Sequence, residues 1–144
     1  MTLDAHRIAP KLWIGAAPGS SDVAPFDAVF LCAAELQPRD LPCRTYGVRL
    51  DDRGAPVSAA ELHRSVGAAK IAHQITKDGG RVLIACAQGV NRSSFVAAQV
   101  LMRRGYSSAA AIALIREARS PRCGIMPLCG PAFVEALRQL EARK

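Results

Sequence analysis

The feature that most restricts how this chain can fold is a pair of consecutive apolar segments separated by a short polar break. After the turn signal Asp78-Gly79-Gly80 comes Arg81-Val82-Leu83-Ile84-Ala85-Cys86, aliphatic and β-branched without interruption once past Arg81. From Ser93 to Arg103 the residues Phe95, Val96, Ala97, Ala98, Val100, Leu101 and Met102 leave almost no polar side. A strand apolar at every position is covered on both faces, and a helix apolar all round is buried as well. Together they call for a layered α/β structure with this strand and this helix near its centre. At 144 residues, 50% of them hydrophobic, the chain suits a single domain over 1–144 with one real core.

The rest of the pattern agrees. Leu12-Trp13-Ile14-Gly15 is a short strand candidate, and Ala28-Val29-Phe30-Leu31-Cys32 is a buried-strand run. From Arg44 to Leu50, Tyr46, Val48 and Leu50 alternate with Gly47 and Arg49, as in a strand with one buried face. Ser58 is a good N-cap with Glu61 three residues on, a capping box that predicts a helix from about Ala59 to Lys77. Gly105 ends the buried helix, Ser107 or Ser108 caps a third running to about Arg119, and Pro121 and Gly124 break the chain. Pro131 opens a last helix with Phe133, Val134, Leu137 and Leu140 inward. The expected fold is α/β, with a central, mostly parallel sheet of about four to five strands flanked by helices. A phosphate loop is expected between a strand and the buried helix.

That loop is the polar break, Cys86-Ala87-Gln88-Gly89-Val90-Asn91-Arg92-Ser93. A phosphate monoester carries roughly two negative charges near neutral pH, so its site needs several donors aimed at one point. Successive backbone N–H groups between a strand and a helix N-terminus supply them, and the helix dipole adds to their field. Gly89 permits the tight path, and Ala87, Gln88, Val90 and Asn91 complete a ring of backbone amides. Arg92, six positions after Cys86, can hold two phosphoryl oxygens at once with its planar fork. The same field favours the thiolate of Cys86, which is the nucleophilic form, and Ser93 can donate to that sulfur while it is an anion or a leaving group.

Composition narrows the partners. The formal charge of +7 favours anionic partners, but the arginines, among them Arg103, Arg104, Arg116, Arg119, Arg122, Arg138 and Arg143, are spread along the chain with almost no aromatics beside them. They read as a basic solvated surface, and a nucleic-acid partner is not expected. The five cysteines (Cys32, Cys43, Cys86, Cys123 and Cys129) form no CxxC pair, and no apolar run is long enough to span a bilayer. A cytoplasmic protein with reduced thiols, no membrane contact, no metal and no cofactor is expected, as a monomer. His6, His63 and His73 stand far from the loop in sequence, at no metal-ligand spacing, and read as surface or packing residues. Cys43 or Cys123 is a candidate disulfide partner for Cys86 under oxidation.

The Cys86-X5-Arg92-Ser93 loop resembles the signature of the protein tyrosine phosphatase superfamily, and the length and element order resemble its dual-specificity branch. Ile8-Ala9-Pro10-Lys11-Leu12-Trp13-Ile14-Gly15 is similar to the opening strand of that family. Asp27 to Cys32 is similar to its next strand, and Pro121 to Pro127 to the segment before its last helix. Thiol–phosphate chemistry also needs an acid for the leaving oxygen and a base for the attacking water. Val48-Arg49-Leu50-Asp51-Asp52-Arg53-Gly54 resembles the acid loop of the family, which implies Asp52 as that group and Asp51 as the alternative.

One departure stands out. The family places histidine before the nucleophile, and here that position is Ala85. A rise of one thiol pKa unit, about 1.4 kcal/mol, reduces the thiolate up to about tenfold. Greater basicity returns part of that as nucleophilicity. The resemblance therefore implies an enzyme, a metal-independent phosphatase acting on phosphotyrosine, with phosphoserine and phosphothreonine as further candidates, in proteins or other phosphomonoesters. None of the five residues between Cys86 and Arg92 is basic, which disfavours phosphoinositides. The competing readings are a phosphate-recognition module without turnover and an RNA 5′-phosphatase.

Overall fold

The structure, a computed structural model, describes residues 5–16, 18, 23, 25–33, 41–51, 56–87, 91–123 and 131–143. Its strands are β1 (Ala5–Ala9), β2 (Leu12–Ala16), β3 (Ala28–Ala33), β4 (Arg44–Leu50) and β5 (Val82–Cys86). They form one sheet in the order β1-β2-β5-β3-β4. The run from Val82 to Cys86 occupies the middle and is buried at every position, as its composition requires. β2, β5, β3 and β4 are mutually parallel, and β1 pairs antiparallel with β2. β1 is the strand that the hydrophobic pattern does not announce. Its centre is polar, and it is held at the sheet edge by pairing through a tight turn in which Lys11 has φ 65.

Register brings the carboxyl ends of three strands to one level. Ala28 to Leu31 pair with Val82 to Ala85, and Leu12 to Ala16 pair with Val82 to Cys86. The register is set at the other end of the sheet. There the Arg81 N–H donates to Asp27 Oδ2 at 2.7 Å, and the Asp27 N–H donates to Arg81 O at 2.8 Å.

Four helices follow from the caps and apolar faces: α1 (Ala59–Lys77), α2 (Arg92–Arg103), α3 (Ser108–Cys123) and α4 (Pro131–Ala142). Ser58 and Glu61 form the expected capping box at the start of α1. α3 continues past Pro121 and stops two residues later, so the proline delays the break rather than making it, consistent with the loss of one helical hydrogen bond in a last turn. α2 is buried at every position from Arg92 to Met102.

Each strand sends alternate residues to opposite faces, and the two faces have different cores. Leu12, Ile14, Phe30, Cys32, Val82, Ile84 and Cys86 meet residues from all four helices, such as Ala69, Phe95, Ile115 and Leu137. Val29, Leu31, Leu83 and Ala85 pack on the other side with Val23 and Phe26, flanked by Trp13. At the β4 edge, Tyr46 stacks on Phe30 with ring centres 4.6 Å apart and planes 12° from parallel. One of the arginines read as surface is not there. Arg119 is fully buried, and its Nη1 lies 2.8 Å from His6 Nδ1, tying α3 to β1.

Gly80 lets α1 turn directly into β5. Its N–H donates to Ile75 O at 2.9 Å, and an added Cβ would lie 2.6 Å from Ile75 Cγ2 and 3.1 Å from Ile75 O. Gly80→Ala is therefore expected to lower stability by about 1–3 kcal/mol, read as a lower urea midpoint with unchanged slope.

Candidate active site

Cys86 is the last residue of β5, and α2 begins at Arg92, so the strand delivers a thiol to the carboxyl edge of the sheet and the helix points its positive end back toward it. Strand parity turns the Cys86 side chain to the helix face, where it is 3% exposed. There the thiol donates to Ser93 Oγ at 3.3 Å, within the first turn of α2. The pair stays in reach when the proton moves, because the hydroxyl can rotate and donate to a thiolate. Arg92, 7% exposed, sends Nη1 to within 3.5 Å of Leu50 O, the carbonyl that ends β4. Asn91 is the buried N-cap residue of α2 and makes no side-chain cap, so its own side chain does not neutralise the positive end of the helix.

Of the residues expected to handle phosphate, Cys86, Ala87, Asn91, Arg92 and Ser93 are described and stand together at this junction, with Ala87 exposed. Gln88, Gly89, Val90 and Asp52 lie outside the described residues. Asp51, the alternative acid, is exposed at the end of β4, and its N–H donates to Glu61 Oε2 at 2.9 Å.

The oxidation partners named from sequence fare differently. Cys43 sits just before the Arg44–Ala28 pair, at the amino edge of the sheet and against the other core. It is about five residues, or roughly 16 Å, along the strands from Cys86, too far for a disulfide. The side chain of Cys123 is outside the described residues. The cysteine that the sequence reading missed is Cys32. It follows the Leu31–Ala85 pair on β3 and faces the same side as Cys86. Burial drives its thiol well above the usual range; negative charge on Cys86 adds to this, and Arg92 partly offsets it. Two apolar runs that end in cysteine on adjacent parallel strands were the available signal.

Among the described residues no group of three or more His, Cys, Asp or Glu could hold a metal ion. His63 is exposed on α1. His73 is half-buried there, and its imidazole is held below its ordinary value by burial and then by Lys77, Arg104 and Arg103.

No family model and no curated protein matches the sequence. Solved structures do. A mouse protein classed as a dual specificity phosphatase, crystallised with zinc tungstate, superposes with a TM-score of 0.78 at 25% identity, covering 99% of this chain and 89% of its own. Human DUSP28 superposes with a TM-score of 0.81 at 22% identity over 99% and 96% of the two chains. This chain has the fold of the dual-specificity phosphatases. PTPMT1 in complex with PI(5)P also matches, with a TM-score of 0.77 at 21% identity over 96% of this chain and 95% of the other.

On this dual-specificity phosphatase fold, the residue before Cys86 faces away from its thiol. Ala85 is fully buried on the opposite side of β5, among Val29, Leu31 and Leu83. An imidazole there would have to displace packed aliphatic groups and find hydrogen bonds in an apolar setting. Ala85→His is accordingly expected to destabilise the protein by about 1–3 kcal/mol in chemical denaturation rather than simply sharpen the thiol. Peptide mapping after iodoacetamide should find Cys32 unmodified in the native protein and labelled once it is unfolded.

Proposed function

We propose that this chain is a metal-independent phosphatase that hydrolyses phosphotyrosine, and phosphoserine or phosphothreonine in addition, through a cysteinyl-phosphate intermediate. The observation that carries the reading is the Cys86–Ser93 contact of 3.3 Å at the foot of α2, with Arg92 on the same turn. In the first step the Cys86 thiolate attacks phosphorus, a P–S bond forms, and the P–O bond to the leaving group breaks while Asp52 gives that oxygen its proton. In the second, Asp52 takes a proton from water, the water oxygen attacks phosphorus, and the sulfur leaves as thiolate with Ser93 donating to it. Arg92 and the loop amides hold the equatorial oxygens throughout, supplying positive charge where negative charge is spread in the transition state.

Phosphoprotein is favoured over phosphoinositide because Ala87, Gln88, Gly89, Val90 and Asn91 bring no cation to hold additional phosphates. The PI(5)P bound to PTPMT1 describes that protein, whose sequence is 21% identical to this one. A second reading, phosphate recognition without turnover, is favoured by Ala85, which leaves the family's histidine position apolar and closed.

Hydrolysis of para-nitrophenyl phosphate is expected to survive chelator and to vanish in Cys86→Ser. Arg92→Ala should lower kcat/KM on the order of 10²–10³-fold, as loss of a transition-state donor does. Asp52→Asn should lower kcat on the order of 10²-fold or more on poor leaving groups. Chelator-sensitive turnover, or turnover that persists without Cys86, rejects the phosphatase. Tight phosphate binding with no turnover in the wild-type protein selects the recognition module.

A further inference from the structure

A capping box needs one carboxylate oxygen of its glutamate, for the amide of the N-cap residue. Glu61 uses both. Its Oε1 accepts the Ser58 N–H at 3.2 Å, completing the box in which Ser58 Oγ accepts the Glu61 N–H at 3.1 Å. Its Oε2 accepts the Asp51 N–H at 2.9 Å, ten residues away along the chain. The side chain is 6% exposed, whereas Glu117 on α3 and Glu135 on α4 are solvent-facing and Glu141 on α4 is half-buried. A carboxylate is taken out of water only where hydrogen bonds replace its hydration, and here backbone donors from two separate places do so.

These two amides are the ends of one segment. β4 releases the chain at Asp51 and α1 takes it up at Ser58, so the amides that flank residues 52–57 are both held by a single carboxylate. One residue earlier, Leu50 O is the acceptor for Arg92. The end of β4 is thus fixed from two sides at consecutive residues, by the phosphate clamp and by Glu61, and the next residue is Asp52.

We propose that Glu61 is a positioning residue for proton transfer: by tethering the Asp51 and Ser58 amides it sets where the acid-bearing segment leaves the sheet relative to Arg92. The proposal rests on the phosphatase reading and on Asp52 as its acid. Glu61 touches no reacting atom itself. Its effect belongs to the proton transfers made by Asp52, and kcat/KM, which reports steps only as far as departure of the leaving group, isolates the one in which the leaving oxygen is protonated.

The test separates this role from simple helix stability. Glu61→Ala, Glu61→Gln and Ser58→Ala are compared with wild type on phenyl phosphate, a poor leaving group, and on para-nitrophenyl phosphate, a better one. Ser58→Ala removes the capping hydroxyl and keeps the tether. Glu61→Ala is expected to lower kcat/KM on phenyl phosphate about tenfold more than on the nitrophenyl ester, with the limb of its pH profile that reports the protonated acid weakened. Glu61→Gln keeps one acceptor and should fall between, while Ser58→Ala should keep the wild-type ratio of the two substrates. An equal loss on both substrates, or the same ratio change in Ser58→Ala, overturns the proposal. Asp52→Asn with full activity on phenyl phosphate would instead strike the acid assignment, and absence of turnover in the wild-type protein would strike the phosphatase reading. In either case amide hydrogen exchange decides the tether. Faster exchange at Asp51 and Ser58 in Glu61→Ala, beyond that in Ser58→Ala, supports it, and unchanged exchange at Asp51 overturns it.

Discussion

Everything in this molecule depends on β5 being buried on both faces. An aliphatic strand from Val82 to Cys86 can be satisfied only between two other strands and under a helix, which places it in the middle of the sheet with α2 packed across it. Because α2 starts only six residues after β5 ends, the polar residues between them are confined to the one place where a strand end and a helix start face each other. The chemistry follows from that confinement. A thiol, a guanidinium and a hydroxyl that would be unremarkable on a surface share one buried corner, with Cys86 3% and Arg92 7% exposed.

How much of this could be read from residues alone varied with the kind of force involved. Elements defined by local pattern were legible: α1 spans Ala59–Lys77 because Ser58 and Glu61 set its start, and β4 spans Arg44–Leu50 because alternation set its buried face. The site was legible where it coincides with such a junction, at Cys86, Arg92 and Ser93. Features made by pairing across long sequence separations were not. β1 has a polar centre and exists through its partner β2. Arg119 carries every local mark of a surface residue yet is buried against His6, 113 residues away. Cys32 stands beside Cys86 only because β3 and β5 are neighbours, and Cys43 is ruled out by the same register. The capping role of Glu61 was visible in its spacing from Ser58; its second bond, to Asp51, needed the end of β4 to be brought to the start of α1.

The division of β5 into two faces also sorts the neighbours of Cys86. Ser93, which accepts from the thiol, lies on the helix side together with Cys32 and Arg92. Ala85 belongs to the other side, so a group at that position reaches the sulfur only through the backbone they share. Glu61 and Arg92 add a third connection, from the end of β4, which joins α1, α2 and that strand end in one hydrogen-bonded frame.

The same two-sidedness gives the chain an internal optical probe. Its one tryptophan, Trp13, packs against Phe26 on the face opposite the helices, with ring centres 5.4 Å apart in an edge-on arrangement. Indole emission therefore reports the integrity of the back layer, on the face of the sheet away from the Cys86 thiol. Intrinsic fluorescence can follow the loss of that layer as the protein unfolds.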